Sequence, residues 1–251
     1  MPRILGWVSR RGKTLMHARG SLTLLALWPI LLAGTSPLAA AEQDGVALAV
    51  VYDTSGSMRD PVKDKAGKET SKYLVANRAL LGVTSQLEAF LSASNAASPR
   101  VCHAALFVFQ GEDARQAVPF GPFNPAAFQD FARRFSSPNG NTPLGKALEA
   151  AAKTVLQSPF PRKHVLVITD GINTAGPEPA TVLARLQSQP QTKQTPFAVH
   201  LVAFDVDAKV FVPLKRLGAT VVAASDERQL DSQLEFILQK KILLEEEEPG
   251  K

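Results

Sequence analysis

Asp53, Ser55 and Ser57 stand two residues apart at the end of the apolar run Val46–Tyr52. In an extended segment alternate side chains point the same way, so one carboxylate and two hydroxyls can face a single point. Oxygen donors of this kind suit the hard cations Mg²⁺, Mn²⁺ or Ca²⁺ rather than zinc or copper. Two of the three donors are neutral, so a cation held there stays short of negative charge. A carboxylate offered by a partner would fill that shortage.

Two further segments carry matching chemistry: Asn139–Gly145 (NGNTPLG) and Thr169–Asn173 (TDGIN). Asp53 and Asp170 each follow an apolar strand-like run, where an ionised carboxylate is costly unless paired or metal-bound. Two such carboxylates brought together repel each other unless a cation lies between them. Singly, each piece has an ordinary explanation: an Asx turn at Asp53, an N-cap at Thr142 before Pro143, a tight turn at Asp170-Gly171. Taken together, in this order and at strand ends, a shared metal accounts for them better.

The elements that must position these residues alternate along the chain. Apolar runs at 46–52, 101–110, 163–169, 196–204 and 219–224 suit strands buried on both faces. Gln116–Phe120 reads as an edge strand that Pro119 weakens. Helix-period segments fall at 71–92, 125–135, 143–157, 178–189 and 208–217, the last broken near Pro213 and ended by Gly218. A final helix follows Asp226, with Gln229 placed for a capping box. Arg59 to Thr70 is polar and reads as a surface loop. Strands alternating with helices predict an α/β, three-layer, doubly wound and mostly parallel sheet with helices on both faces. In such a sheet the ligand site lies beyond the carboxyl ends of the strands, where all three segments fall.

With its loops in this order, DTSGS, GNTPLG and TDG, the sequence resembles the von Willebrand factor type A (VWA) domain family and its metal-ion-dependent adhesion site (MIDAS). The similarity spans essentially residues 44 to 245, inside a single domain assigned to residues 42–251. The resemblance implies a metal set of Asp53, Ser55, Ser57, Thr142 and Asp170. Ser55 and Ser57 would ligate directly, Thr142 directly or through water, and Asp53 and Asp170 would hold coordinated waters. A vacant position would accept a Glu or Asp of a protein partner. Mg²⁺ is the expected cation, with Mn²⁺ or Ca²⁺ as alternatives. Gly56 and Gly171 would let the backbone approach closely. Two departures from the family pattern are the long polar stretch 59–70 and Asn141, where many relatives carry Gly.

Charge and cysteine usage narrow the function. Residues 1–41 read as a cleavable export leader: five basic residues, an apolar stretch Ser21–Gly34 and small residues at 39–41. The stretch is short for a membrane span and carries Pro29, although a retained leader would anchor the protein peripherally. Of 28 basic and 23 acidic residues, five basic ones belong to the leader, so the remainder is balanced. Nucleic-acid binding needs a basic face, and none is evident. Cys102 is the only cysteine, so no internal disulfide forms; it, His164 and His200 read as core residues. Asp205 and Asp207 follow the strand at 196–204, where they could line the same crevice, but turn and cap roles are the favoured reading; Phe120 and Phe123, which could form an exposed contact patch, read as packing residues. The expected function is a non-enzymatic, periplasmic or secreted protein-binding module. The alternatives are a structural subunit or assembly factor of a periplasmic complex, and a Mg²⁺-dependent hydrolase. The hydrolase would need a second carboxylate two residues after Asp53, where Ser55 stands.

Overall fold

The computed structural model describes residues 44–95 and 99–243. The expected leader and the acidic run Glu245–Glu248 lie outside the described residues. Strand β1 (Val46–Tyr52) is buried at all seven positions, as its unbroken apolar run predicts. A 3₁₀ turn (Gly56–Arg59) leads to a small antiparallel hairpin, β2 (Pro61–Lys63) and β3 (Glu69–Ser71), and then to helix α1 (Lys72–Ser92). Next come β4 (Cys102–Gln110), β5 (Asp113–Pro122), α2 (Pro125–Arg134), α3 (Leu144–Leu156) and β6 (Arg162–Thr169). The chain continues through α4 (Pro179–Ser188), α5 (Pro190–Gln194), β7 (Ala198–Phe204), a 3₁₀ turn at Ala208–Phe211 and α6 (Val212–Arg216). It closes with β8 (Thr220–Ala224), α7 (Glu227–Ile237) and a π-helical turn at Leu238–Leu243.

The main sheet runs β5-β4-β1-β6-β7-β8. Every neighbouring pair is parallel except β4 with β5. Side chains alternate across β1: Val46, Leu48, Val50 and Tyr52 enter the layer covered by α1, α2 and α7, while Ala47, Ala49 and Val51 enter the layer covered by α3, α4 and α6. Ala47 and Ala49, the small residues of β1 on the second face, share a buried cluster with Leu144 and Leu148 of α3. Truncating a fully buried leucine such as Leu148 to alanine costs about 2–5 kcal/mol. Among the described residues no helix is long and apolar enough to cross a membrane.

Four local expectations are corrected. The polar stretch 59–70 is a hairpin rather than a loop, because the Asp64 carboxylate accepts the N–H groups of Ala66 and Lys68 and closes the turn. β5 is longer than the pattern at 116–120 suggests; a register shift between Ala104 and Leu106 lets the edge strand carry Pro119 through the sheet without a ladder bond there. Thr142 does not cap α3: Pro143 occupies the cap position, and no side chain caps that helix. Gln229 accepts the N–H of Ser225 rather than that of the N-cap Asp226, whose own carboxylate accepts from Gln229.

Candidate metal centre

The β1–β6 register builds the site. Tyr52 lies opposite Ile168, and the Asp53 N–H bonds the Ile168 carbonyl at 3.0 Å. The residues that follow, Asp53 and Asp170, therefore emerge from neighbouring strands at the same edge. Backbone bonds then tie the three loops together. Gly56 N–H donates to Gly140 O (3.1 Å), and Asn139 N–H to Thr54 O (2.9 Å). Thr174 N–H donates to Thr142 O (3.0 Å), Thr142 N–H to the Thr174 hydroxyl (2.8 Å), and Gly145 N–H to Asn173 Oδ1 (3.1 Å).

The five side chains singled out by the sequence are brought together. The Ser55 and Ser57 hydroxyl oxygens are 3.1 Å apart, and the Ser57 hydroxyl donates to Asp170 Oδ1 at 2.8 Å. A methyl group on Gly171 would lie 3.3 Å from Thr142 Oγ1 and 3.8 Å from Ser57 Oγ, so both hydroxyls border the space this glycine leaves open. Gly56 has no such role, since a methyl there would meet its nearest neighbour at an ordinary 3.6 Å. The tightest of the described glycines is Gly145 at the start of α3, where a methyl would lie 1.8 Å from the Pro177 carbonyl oxygen.

Asp53 is fully buried. One of its oxygens accepts the Ser55 N–H at 2.8 Å and the other the Thr169 hydroxyl at 2.5 Å. Burial, reinforced by the nearby Asp170 charge, pushes its pKa up to about 6, against the opposing pull of these hydrogen bonds. No ion pair neutralises Asp53 among the described residues.

Asp170 has a cation that the sequence reading missed. The ammonium of Lys72, the first residue of α1, lies 3.1 Å from Asp170 Oδ2 and 3.0 Å from Asp205 Oδ2. Lys72 is only 5% exposed. Burial opposes its charge, but Asp205 and Asp170 outweigh burial and hold its pKa above the usual lysine value. Asp205 is thus a member of the crevice and not only a turn residue. It is the one non-glycine residue with positive φ (52°) among the described residues, a conformation Asp tolerates better than most side chains. Asp207 does cap the following 3₁₀ turn, through the Lys209 N–H. A lysine opening an amphipathic helix carries no local signal of burial; only the hairpin, whose base bonds Lys72 N–H to Asp60 O at 2.9 Å, brings it back to the strand ends.

The remaining polar candidates lie elsewhere. His164 and His200 pair at 3.2 Å within β6 and β7, and Cys102 is buried with its pKa pushed up to about 12 by desolvation. Phe120 and Phe123 pack edge-on or tilted against His103 and Phe128. Among the described residues no group of three or more His, Cys, Asp or Glu side chains is placed to hold a metal ion.

Comparison with solved structures agrees with this architecture. The PilB minor pilin from Streptococcus sanguinis superposes with a TM-score of 0.58 at 16% identity, over 78% of this chain and 60% of that one. Proximal thread matrix protein 1 from the mussel byssus gives 0.55 at 16% identity, over 78% and 48%, and has also been solved with a zinc-occupied MIDAS motif. The SpRpn10 VWA domain gives 0.55 at 11% identity, over 78% of this chain and 95% of that one. The chain thus spans about three fifths of the pilin and about half of the byssus protein. At these identities the likeness is one of fold. No curated protein sequence matches the chain. The family model described as "von Willebrand factor type A domain" matches residues 47–233, and with the sheet order and the three stitched loops it follows that the chain belongs to the von Willebrand factor type A domain family.

Proposed function

We propose that this protein is an exported, non-enzymatic protein-binding module that holds a divalent cation among Ser55, Ser57, Thr142, Asp53 and Asp170 and uses it to bind a carboxylate of a protein partner. The observation that carries this reading is the spacing of the oxygens. Octahedral coordination at about 2.1 Å sets adjacent ligands about 3.0 Å apart, and the two serine hydroxyls that would ligate directly are 3.1 Å apart, with Asp170 hydrogen-bonded to Ser57 and so within reach of a coordinated water. Thr142 and Ser57 flank the space beside Gly171, and Asp53 is fully buried, with no ion pair among the described residues.

An all-oxygen donor set with three neutral hydroxyls favours a hard cation, Mg²⁺ first, although the byssus protein accepts zinc in its own motif. When bound, the cation would supply positive charge left uncompensated by its neutral ligands. The protein's own residues divide the remaining work. Ser55, Ser57 and Thr142 would offer lone pairs, Asp53 and Asp170 would orient waters, and the backbone ties would hold the loops at fixed separation. Among the described residues no histidine lies at these strand ends to act as a base: His164 sits five residues before Thr169, paired with His200. Export is supported by the leader-like residues 1–41 and by a structural neighbour that is a minor pilin. A retained leader would add membrane anchoring.

The test is capture of envelope proteins from the native cell on the immobilised chain, in Mg²⁺ and in EDTA, beside Asp53→Ala. The reading expects a partner retained only by the wild type in Mg²⁺. A partner retained equally in EDTA and by Asp53→Ala would refute it.

A further inference from the structure

Lys72 is placed where a helix least favours a lysine. It opens the 21-residue helix α1, and the N-terminus of a helix carries partial positive charge that repels a cation. It is also buried, and an apolar side chain of similar length would fill the same space without the cost of removing an ammonium from water. The favourable partners are therefore the two carboxylates it touches, Asp170 and Asp205. Asp170 is the link: Oδ2 accepts from Lys72, while Oδ1 accepts from Ser57 inside the hydroxyl cluster.

We propose that Lys72 is the resident counter-ion of Asp170 and sets how tightly the centre holds a divalent cation, keeping that cation weakly bound and electron-poor. This inference rests on the metal reading above and assigns the tuning of that site to one residue. Without a divalent cation, the ammonium neutralises the carboxylate nearest the hydroxyls. With one bound, a positive charge remains on the far oxygen of the same carboxylate, opposing the metal and drawing electron density from its ligand shell. Asp53, after the neighbouring strand, has no such partner among the described residues, so the two carboxylates are electrostatically unequal. Asp205, held at positive φ, is the second carboxylate on the ammonium, at 3.0 Å, and helps to hold it in place.

The experiment is calorimetric titration of Mn²⁺ and Mg²⁺ into the wild type, Lys72→Gln and Lys72→Arg, with thermal melting of each in EDTA and in Mn²⁺. Removing a like charge at this range should tighten Mn²⁺ binding about tenfold or more in Lys72→Gln. Lys72→Arg, which keeps the charge, should stay within about threefold of the wild type, since binding follows Coulomb interaction more than side-chain shape here. A Lys72→Gln protein that melts early in EDTA and is rescued by Mn²⁺ also supports the proposal, the metal then doing what the ammonium did. Wild-type and Lys72→Gln affinities that are equal, or weaker binding in Lys72→Gln, would overturn it while leaving the metal site standing. A Lys72→Gln protein unfolded with and without Mn²⁺ would make Lys72 a purely structural residue and overturn it too. Absence of Mn²⁺ binding in all three proteins would remove both the site and its tuning.

Discussion

The Ser57 hydroxyl donates to Asp170 Oδ1 at 2.8 Å, joining two residues 113 positions apart in the chain. The contact exists because β1 and β6 are neighbours in register, and because backbone bonds hold the loops that follow them. Asp170 in turn reaches Lys72, so the loop after β1, the loop after β6 and the start of α1 form one hydrogen-bonded unit. Substitutions that move any of these loops should therefore be felt at the proposed cation site.

Gly145 tests how closely α3 must approach the loop before α4. A methyl group 1.8 Å from the Pro177 carbonyl oxygen cannot be accommodated without moving backbone. Gly145→Ala should lose about 3 kcal/mol or more of stability, at the upper end of overpacking costs, and should weaken Mn²⁺ binding because Thr142 and Asn173 share that junction. Urea unfolding of the variant supplies the number; a loss under about 1 kcal/mol would mean the loop yields easily.

The hairpin that returns the chain to Lys72 is fastened to the last helix. Arg78 donates to both oxygens of the buried Glu227 at 2.7 and 2.8 Å, and Glu227 Oε2 also accepts the Lys65 N–H at 3.0 Å. Lys65 pairs with Asp231 as well. The Arg78 contact is the foremost reason the Glu227 pKa is held below the usual carboxylate range. Arg78→Ala leaves a buried carboxylate with one backbone donor and should cost about 2 kcal/mol, less than a wholly buried pair because the guanidinium is partly exposed. Amide hydrogen exchange over residues 61–71 should speed up in the variant; unchanged exchange there would show that the hairpin holds without this anchor.

The paired histidines make stability depend on pH. Burial lowers the pKa of His164 to about 3 and of His200 to about 4, from an ordinary 6.5. As the pH falls below 6.5 the unfolded chain takes up these protons before the folded one does. Stability from this source is therefore complete above pH 6.5 and is lost progressively towards pH 4 and 3. By pH 5 the loss should reach about 1–2 kcal/mol per histidine. Comparing denaturant midpoints at pH 7 and pH 5 for the wild type and for His164→Leu/His200→Leu separates this from carboxylate titration. A double variant with an undiminished pH dependence would assign the effect elsewhere.

The legible parts of this fold were those whose signal is local. Val46–Tyr52 and the run at 163–169 read as buried strands because each is continuously apolar, and Asp53 and Asp170 stood out by terminating them. Thr142 stood out for its place before Pro143, although the cap role that its position suggested belongs to no side chain in the structure. Lys72 and Asp205 were not legible as partners. One begins a helix and the other follows a strand, and their meeting depends on two separate returns of the chain to the same sheet edge. The hairpin at 61–71 was hidden because its turn is closed by the Asp64 side chain and its hold on α7 comes from residues more than 140 positions away. Composition alone describes such a stretch only as polar.

The central claim is that oxygens of Asp53, Ser55, Ser57, Thr142 and Asp170 share one divalent cation. Calorimetric titration of Mn²⁺ into the chelator-treated wild type and into Ser57→Ala measures this most directly, because Ser57 touches both Ser55 and Asp170. The account predicts one saturable site in the wild type, lost or weakened at least about a hundredfold in Ser57→Ala, a charge-assisted ligand being worth about 3 kcal/mol. A wild type that binds no Mn²⁺ at millimolar concentration, or a Ser57→Ala protein that binds it just as well, would contradict the account.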